Sequence, residues 1–336
     1  MTSAHDDRSG TTDPGGPTGE MADPFGAGRA PEQGTAPDPL AADPAAAFDP
    51  LAPSDNLRRR QLVSRVVSAS QTAAALLAIG VLGAVVYSVV SRAWSVLSLS
   101  FLTNDLPLES TAGGGIAPAI VGTAVIVAIA TAIALPVGIL IALYQTDFAG
   151  PRSKPAIRLV LDLLNGLPTI IVGLFVFGLL VVGHHQSGFA GGFALSIVML
   201  PLIARATQEV LVLVPGSLRE AADALGVSHW RTVRGVVLPA ARGGILTATV
   251  LAIARAAGET APLVFVSSLF GSSVSTNPFG QVGLPNIPVY IFQASEGADP
   301  NGFARAWGAA FVLLSFILIA SVAARALTRR RSSASR

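Results

Sequence analysis

The chain has 336 residues, of which 51% are hydrophobic and 12% are charged, whereas an average soluble domain has roughly 25% charged residues. So few charges cannot cover the surface of a soluble protein of this length. Cysteine is absent and the four histidines are scattered, which excludes a disulfide framework, a thiol nucleophile and an HExxH helix. Gly-Lys-Ser/Thr is also absent, which excludes a Walker A loop. We predict no catalytic residue, no metal site and no cofactor.

The N-terminal segment differs in composition from the rest of the chain. Residues 1–57 are rich in Pro, Gly, Ala and Asp and carry few large apolar side chains. Such a segment cannot bury enough surface to offset its conformational entropy, so we predict a disordered acidic tail. A transmembrane domain is predicted over residues 58–330, followed by a basic C-terminal tail over residues 331–336. An apolar run near Met1 is lacking, so a cleaved signal peptide is not expected.

Long stretches without charge predict transmembrane helices. Asp, Glu, Lys and Arg are absent between Arg65 and Arg92 and between Glu109 and Asp147. About 20 apolar residues in a helix, each rising about 1.5 Å, cross the hydrocarbon core of a membrane. We predict an all-α polytopic membrane protein with six spans, at residues 66–91, 117–144, 159–183, 189–206, 244–270 and 305–326.

The basic residues predict the orientation of these spans. Lys and Arg cluster in four segments that would share one side of the membrane, at residues 58–65, 152–158, 205–242 and 325–336. Arg92 and Arg305 border the other side. Because loops rich in Lys and Arg stay in the cytoplasm, both the N-terminus and the C-terminus are predicted to be cytoplasmic.

The segment between the fourth and fifth predicted spans contains helix-capping signals. Ser217 is followed three residues later by Glu220, the spacing of a capping box in which each side chain bonds an unpaired backbone N–H. We predict a short helix from Ser217 that ends at Gly226, since glycine readily adopts the left-handed C-cap conformation. Ser228 is predicted to cap a second helix, which ends before Pro239.

Taken alone, the stretch from Ala222 to Val237 resembles a DNA-binding helix-turn-helix. A recognition helix needs its own small helical core and access to a major groove. Neither condition fits a short loop, about residues 207–243, held between two membrane spans. We therefore predict no nucleic-acid partner.

The spacing in this loop is similar to that of the EAA loop of ABC importer permeases. The resemblance implies a type I ABC importer permease (MetI-like) bundle, in which a coupling helix docks into a groove of a separate ATPase subunit. It places the ATPase-coupling residues at Ser217, Glu220, Ala221, Ala222, Gly226, Leu238 and Pro239. An ordinary amphipathic loop helix is the alternative.

Two ionisable residues fall within the fifth predicted span. Arg255 and Glu259 are four residues apart, so they share a helical face and can pair. An ionisable residue within a span costs on the order of 3 kcal/mol, so both should face the bundle interior or water. Pro262 cannot donate to the carbonyl of Gly258, which should open the helix beside the pair. The pair is predicted either to line a solute path or to fix helix packing.

The string from Arg255 to Pro262 resembles the signature of the PstA family of phosphate ABC transporter permeases. The similarity extends over roughly residues 65–328 and includes the segments 164–173, 200–207 and 284–291. The sequence departs from the family in its long acidic tail, at Thr169, where Ser is more usual, and at Phe292-Gln293. The sister permease PstC usually lacks Thr-Ala-Pro after the glutamate.

The resemblance implies ATP-driven import of inorganic phosphate across a bacterial plasma (inner) membrane. The chain would be a non-catalytic subunit that forms half of the translocation path, lined by Arg255, Glu259, Thr260 and Pro262. Its implied partners are a second permease subunit (PstC-like), two ATPase subunits (PstB-like), an external phosphate-binding protein (PstS-like), phosphate and membrane lipids. An arginine suits an anion in transit because its guanidinium can hold two oxygens at once.

Three other functions remain open at this point. The chain could be the permease of an importer for another anion or small solute, or the sister phosphate permease PstC. A secondary transporter would not explain the spacing from Glu220 to Pro239. A membrane enzyme would need a polar cluster near one interface, and His184-His185 is the single hint of one.

Overall fold

The computed structural model describes residues 57–107, 113–268 and 271–333, and within these ranges every regular element is a helix. The predicted acidic tail lies outside the described residues, except for Leu57. By its internal contacts the chain divides into a unit that ends at Thr72 and a unit from Ala73 onward. The described part of the first unit is the beginning of the first helix.

The described part of the chain forms twelve α-helices. In order they are α1 (Leu57–Ala93), α2 (Leu99–Thr103), α3 (Ala117–Leu143), α4 (Ser153–Gly166), α5 (Thr169–Val176), α6 (Gly188–Val212), α7 (Gly216–Ala224), α8 (His229–Thr232), α9 (Leu238–Ala256), α10 (Ala261–Val266), α11 (Ile287–Glu296) and α12 (Pro300–Ser333). Wider π turns follow α3 at Tyr144–Phe148 and α5 at Phe177–Val181, and a third joins α8 to α9 at Val233–Val237.

Among the described residues, five helical runs are long and apolar enough to cross a membrane: α1, α3 with the π turn after it, α6, α8 joined to α9, and α12. Four of the predicted spans, 66–91, 117–144, 189–206 and 305–326, each fall within one of these runs and are confirmed. Each of these four runs extends beyond its predicted span at one end or at both.

The third predicted span is bent. The sequence predicts one helix over residues 159–183, but α4 ends at Gly166 and α5 begins at Thr169, with an angle of 92° between them. Leu167 and Pro168 are extended between the two helices. A proline disfavours helical geometry in the residue before it, which is consistent with the extended backbone of Leu167. Asp162 of α4 forms an ion pair with Arg205 of α6.

The fifth predicted span, 244–270, is wrong at both ends. The helix starts at His229 and ends at Ala256, so the predicted second helix of the loop does not stop before Pro239. At the π turn, the N–H of Leu238 donates to the carbonyl of Val233, five residues earlier. Pro239 has no N–H to donate, and this wider turn lets the helix continue through it.

Close packing of α3 against α6 forms the centre of the larger unit. A Cβ added to Gly192 of α6 would lie 2.6 Å from Cγ2 of Ile129 in α3, so glycine permits the close approach. Ile126, Leu195, Met199 and Ile203 are fully buried in the same cluster. Among the described helices, six others pack against this pair, namely α2, α4, α5, α9, α10 and α11.

Candidate functional site

The helix containing Arg255 breaks immediately after it. α9 ends at Ala256, and α10 begins at Ala261 with Pro262 in its first turn. Between them the N–H of Gly258 donates to the carbonyl of Arg255 at 3.0 Å, and the N–H of Glu259 donates to that of Ala256 at 3.1 Å. The opening predicted beside Pro262 is confirmed, and it extends over four residues.

Arg255 and Glu259 stay close across this break, although the helix that was expected to align them has ended. Nε of Arg255 lies 3.8 Å from Oε1 of Glu259, which is too long for a hydrogen bond. The Arg255 side chain is 65% exposed, whereas that of Glu259 is 19% exposed. An exposed ion pair of this kind contributes little to stability. The guanidinium is therefore available to another anion.

The break between α4 and α5 faces the same guanidinium. Asn165, Thr169 and Arg255 line one cavity of about 30 Å³, together with apolar side chains of α4, α5 and α6. A cavity of this size holds about one water molecule. Asn165 and Thr169 were not predicted as site residues, although the Leu167-Pro168 step could have indicated a second break.

α5 and α10, the helices that follow the two breaks, pack against each other. A Cβ added to Gly173 of α5 would lie 2.6 Å from Cα of Pro262, and Pro262 is buried. Thr260 occupies the N-cap position of α10. The predicted path residues Arg255, Glu259, Thr260 and Pro262 thus lie at a single helix break. Interrupted helices that line a cavity are the usual place for a solute site in transporters.

The predicted coupling loop forms the short helix α7. The predicted capping box is wrong: Pro215 occupies the N-cap position, and Ser217 lies inside the helix. The N–H of Leu218 donates to the carbonyl of Pro215, so the helix starts before the serine can cap it. The left-handed end is confirmed, since Gly226 has φ +69° and its N–H donates to the carbonyl of Asp223 at 2.9 Å.

The predicted coupling residues form a largely exposed surface on α7. Ser217, Glu220, Ala221 and Gly226 are exposed, and Ala222 is buried against the rest of the chain. The apolar side chains of Leu218 and Leu225 are also exposed, Leu225 to 82%. Leu238 and Pro239 lie at the start of α9, where Leu238 is half-buried. An exposed apolar helix flanked by charges can enter a groove on a partner.

Comparison with known proteins agrees with this geometry. Residues 134–333 match the family of binding-protein-dependent transport system inner membrane components. Among solved structures, the chain is similar to one from the inward-facing MetNI methionine ABC transporter, with a TM-score of 0.50 and 20% identity, covering 64% of this chain and 94% of that one. At this identity the likeness concerns the fold alone. The class is thus an ABC importer permease, and the predicted fold class is confirmed.

The curated relatives are more specific. The chain is 38% identical to the phosphate transport system permease protein PstA of Yersinia pestis, covering 74% of this chain and 83% of that protein. It is 35% identical to PstA of Xylella fastidiosa, covering 81% and 95%. With PstA 1 of Mycobacterium tuberculosis strain H37Rv it shares 35% identity, covering 72% and 81%. The chain belongs to the PstA family of binding-protein-dependent transport permeases, as the sequence resemblance predicted.

Proposed function

We propose that this chain is the membrane-spanning permease subunit of an ATP-driven inorganic phosphate importer. The observation that carries the proposal is the exposed Arg255 at the break between α9 and α10, in a chain whose relatives are named phosphate permeases. The chain forms half of the translocation path in a bacterial plasma membrane, with both termini in the cytoplasm. It is non-catalytic, and a separate subunit hydrolyses ATP.

The two helix breaks suggest how an anion passes. Arg255 binds a phosphate oxygen pair through its guanidinium, and Asn165 and Thr169, which line the same cavity, offer neutral hydrogen bonds. In this conformation the cavity is too small for phosphate, so the two breaks must separate for the anion to enter. When the anion leaves, Glu259 pairs with the guanidinium of Arg255 again. This competition keeps phosphate from binding too tightly.

The remaining subunits of the proposed importer are those that the resemblance to the PstA family implies. A second permease subunit (PstC-like) completes the path, two ATPase subunits (PstB-like) drive it, and an external phosphate-binding protein (PstS-like) delivers the anion. Leu218 of α7 and Leu225 directly after it, with Glu220 between them, form the surface that enters the groove of an ATPase subunit.

The proposal is tested on the assembled importer in proteoliposomes. ATP hydrolysis and solute uptake are measured with binding protein loaded with phosphate, and again with sulfate in its place. Phosphate is expected to stimulate hydrolysis and to be taken up, whereas sulfate is expected to do neither. Equal stimulation by sulfate would indicate an importer for another anion, and uptake without ATP would indicate a secondary transporter.

A further inference from the structure

The turn that follows α3 buries an acidic side chain against the coupling loop. Asp147 lies in the π turn Tyr144–Phe148, and its side chain is 3% exposed. Its Oδ1 lies 3.3 Å from Nη2 of Arg219, which belongs to α7. A buried carboxylate is costly unless a cation or a hydrogen-bond donor accompanies it. The position of Arg219, and with it that of α7, is therefore tied to the end of α3.

Arg219 also reaches the end of α6. Its Nη2 lies 3.4 Å from the carbonyl oxygen of Leu211, in the last turn of α6. α3 and α6 are the two closely packed helices at the centre of the larger unit. One arginine therefore links the coupling helix to the adjacent ends of both.

The π turn Tyr144–Phe148 also contacts α8, which is the part of the coupling loop after Gly226. The carbonyl oxygen of Asp147 lies 3.2 Å from Nε2 of His229 in α8. The ring of Phe148 meets the His229 ring edge-on at 5.0 Å and lies 6.2 Å from the Trp230 ring. The two sides of the loop, before and after Gly226, are thus both attached to one five-residue turn.

The ion pair between Asp147 and Arg219 is a single contact. Among the described residues, Oδ2 of Asp147 and Nε of Arg219 have no hydrogen-bond partner, so the pair lacks the two parallel bonds of a bidentate arginine–carboxylate pair. One charged contact therefore connects α7 to the end of α3, and the removal of either charge would break it.

We propose that Asp147 is a positioning residue for transport. Through Arg219 it makes α7 and the α3–α6 pair move as one body when the ATPase subunits close. The inference rests on the proposed function, because it assumes that α7 docks on an ATPase. Without the link, movement of α7 would be absorbed by the loop and would not reach the helices that frame the solute path.

The first test measures coupling in the assembled importer. Asp147→Asn removes the charge at nearly constant volume, and the matched control is Arg231→Gln, which changes an exposed arginine of α8. The measured quantity is the amount of solute taken up per ATP hydrolysed. We expect Asp147→Asn to keep the bound ATPase and its basal hydrolysis while uptake per ATP falls about tenfold, a typical size for coupling between sites. The control keeps the wild-type ratio.

Further variants separate a specific contact from general damage. Arg219→Lys keeps the charge and is expected to retain more of the uptake per ATP than Arg219→Gln. The double variant Asp147→Asn with Arg219→Gln is expected to be no worse than the worse single variant, because both changes remove the same interaction.

A second readout does not depend on the transported solute. Because the chain has no cysteine, spin labels can be placed at Leu140→Cys in α3 and Ala224→Cys in α7, both exposed. In the wild-type background the distance between the labels should stay the same when ATP is trapped. With Asp147→Asn it should change by several ångströms.

The outcomes are distinguishable. Unchanged uptake per ATP and an unchanged label distance in Asp147→Asn overturn the inference. Loss of the bound ATPase or of basal hydrolysis also overturns it, since the pair would then only stabilise the fold. If the wild-type importer moves no phosphate but the labels respond as expected, the inference stands and the substrate in the proposed function is wrong.

Discussion

At the scale of single residues, the charge of Arg255 is poorly paired within the chain. Its contact with Glu259 is too long for a hydrogen bond and its side chain is largely exposed, although it lies in a chain that spans a membrane. A charge in such a place needs water or an anion beside it. The helix break at Gly258 supplies the opening, and the Pro262 that causes it is itself buried.

We predict that Arg255→Gln lowers phosphate uptake about 10- to 100-fold, because a hydrogen bond to a charged group contributes about 1.5–3 kcal/mol. Arg255→Lys should lower phosphate uptake less than Arg255→Gln, since lysine keeps the charge but not the planar fork.

Glu259→Gln should lower both kcat and KM for phosphate uptake, because no carboxylate then competes with the bound anion for Arg255. Uptake of radiolabelled phosphate measures each effect.

The matched control for this series is Arg242→Gln, which changes an exposed arginine of the same helix and should keep wild-type uptake. Wild-type uptake in both Arg255→Lys and Glu259→Gln would contradict a role for the pair in the path.

At the scale of elements, the junction between α5 and α10 holds the two breaks together. We predict that Gly173→Ala lowers stability by about 1–3 kcal/mol, the usual cost of overpacking, because the new Cβ would lie 2.6 Å from the backbone of Pro262. Gly178→Ala is the control, since in the described part of the chain no atom of another helix lies within 4 Å of the position that its Cβ would take. Thermal unfolding of the purified chain in detergent measures both, and equal midpoints would contradict close packing at this junction.

The coupling helix gives a second prediction at this scale. Gly226→Val places a branched side chain at φ +69°, a conformation that costs about 1–2 kcal/mol for residues other than glycine. We expect the end of α7 to unwind and less ATPase to copurify, as also with Glu220→Lys, which reverses a charge on the exposed surface. Gly235→Ala, in the π turn before α9, is the control. An intact, active complex in both variants would show that α7 is not the docking element.

The prolines show how far sequence alone could predict these elements. Pro136 and Pro201 lie inside the continuous helices α3 and α6, whereas the helices are interrupted beside Pro168 and Pro262. The residue type is the same at all four positions. Whether the helix continues depends on neighbouring helices that satisfy the freed carbonyls, and those neighbours are distant in sequence.

The candidate site was predictable to a similar degree. Arg255 and Glu259 could be found because a charge within an apolar run is conspicuous in any sequence. Asn165 and Thr169 could not, since nothing in the composition of their segment places it in one cavity with Arg255. The contact between Asp147 and Arg219 could not be predicted from the sequence either, because it depends on how α3 and α6 pack.

At the scale of the whole molecule, contacts between loops define two opposite faces of the larger unit. Asp147, Arg219 and His229 meet at one face. At the other, Gln186 donates to the carbonyl of Phe265 at 3.0 Å, and Arg305 donates to that of Gly113 at 3.0 Å. The chain leaves the first face after α3 and reaches the second by residue 186, before α6 begins. We therefore expect the bent pair α4–α5 to cross once, which would make six crossings within the described residues.

This count gives a prediction that single cysteines can test, since the chain has none of its own. In intact spheroplasts, a membrane-impermeant maleimide should label His185→Cys and Ser275→Cys. It should label Gly150→Cys and Ser228→Cys only after permeabilisation, because the arginine-rich loops stay in the cytoplasm. The decisive comparison is between positions 150 and 185, which flank α4–α5. Labelling of both from one side would mean that the pair is a re-entrant loop and that the chain crosses five times, whereas a reversed pattern would mean that its termini are external.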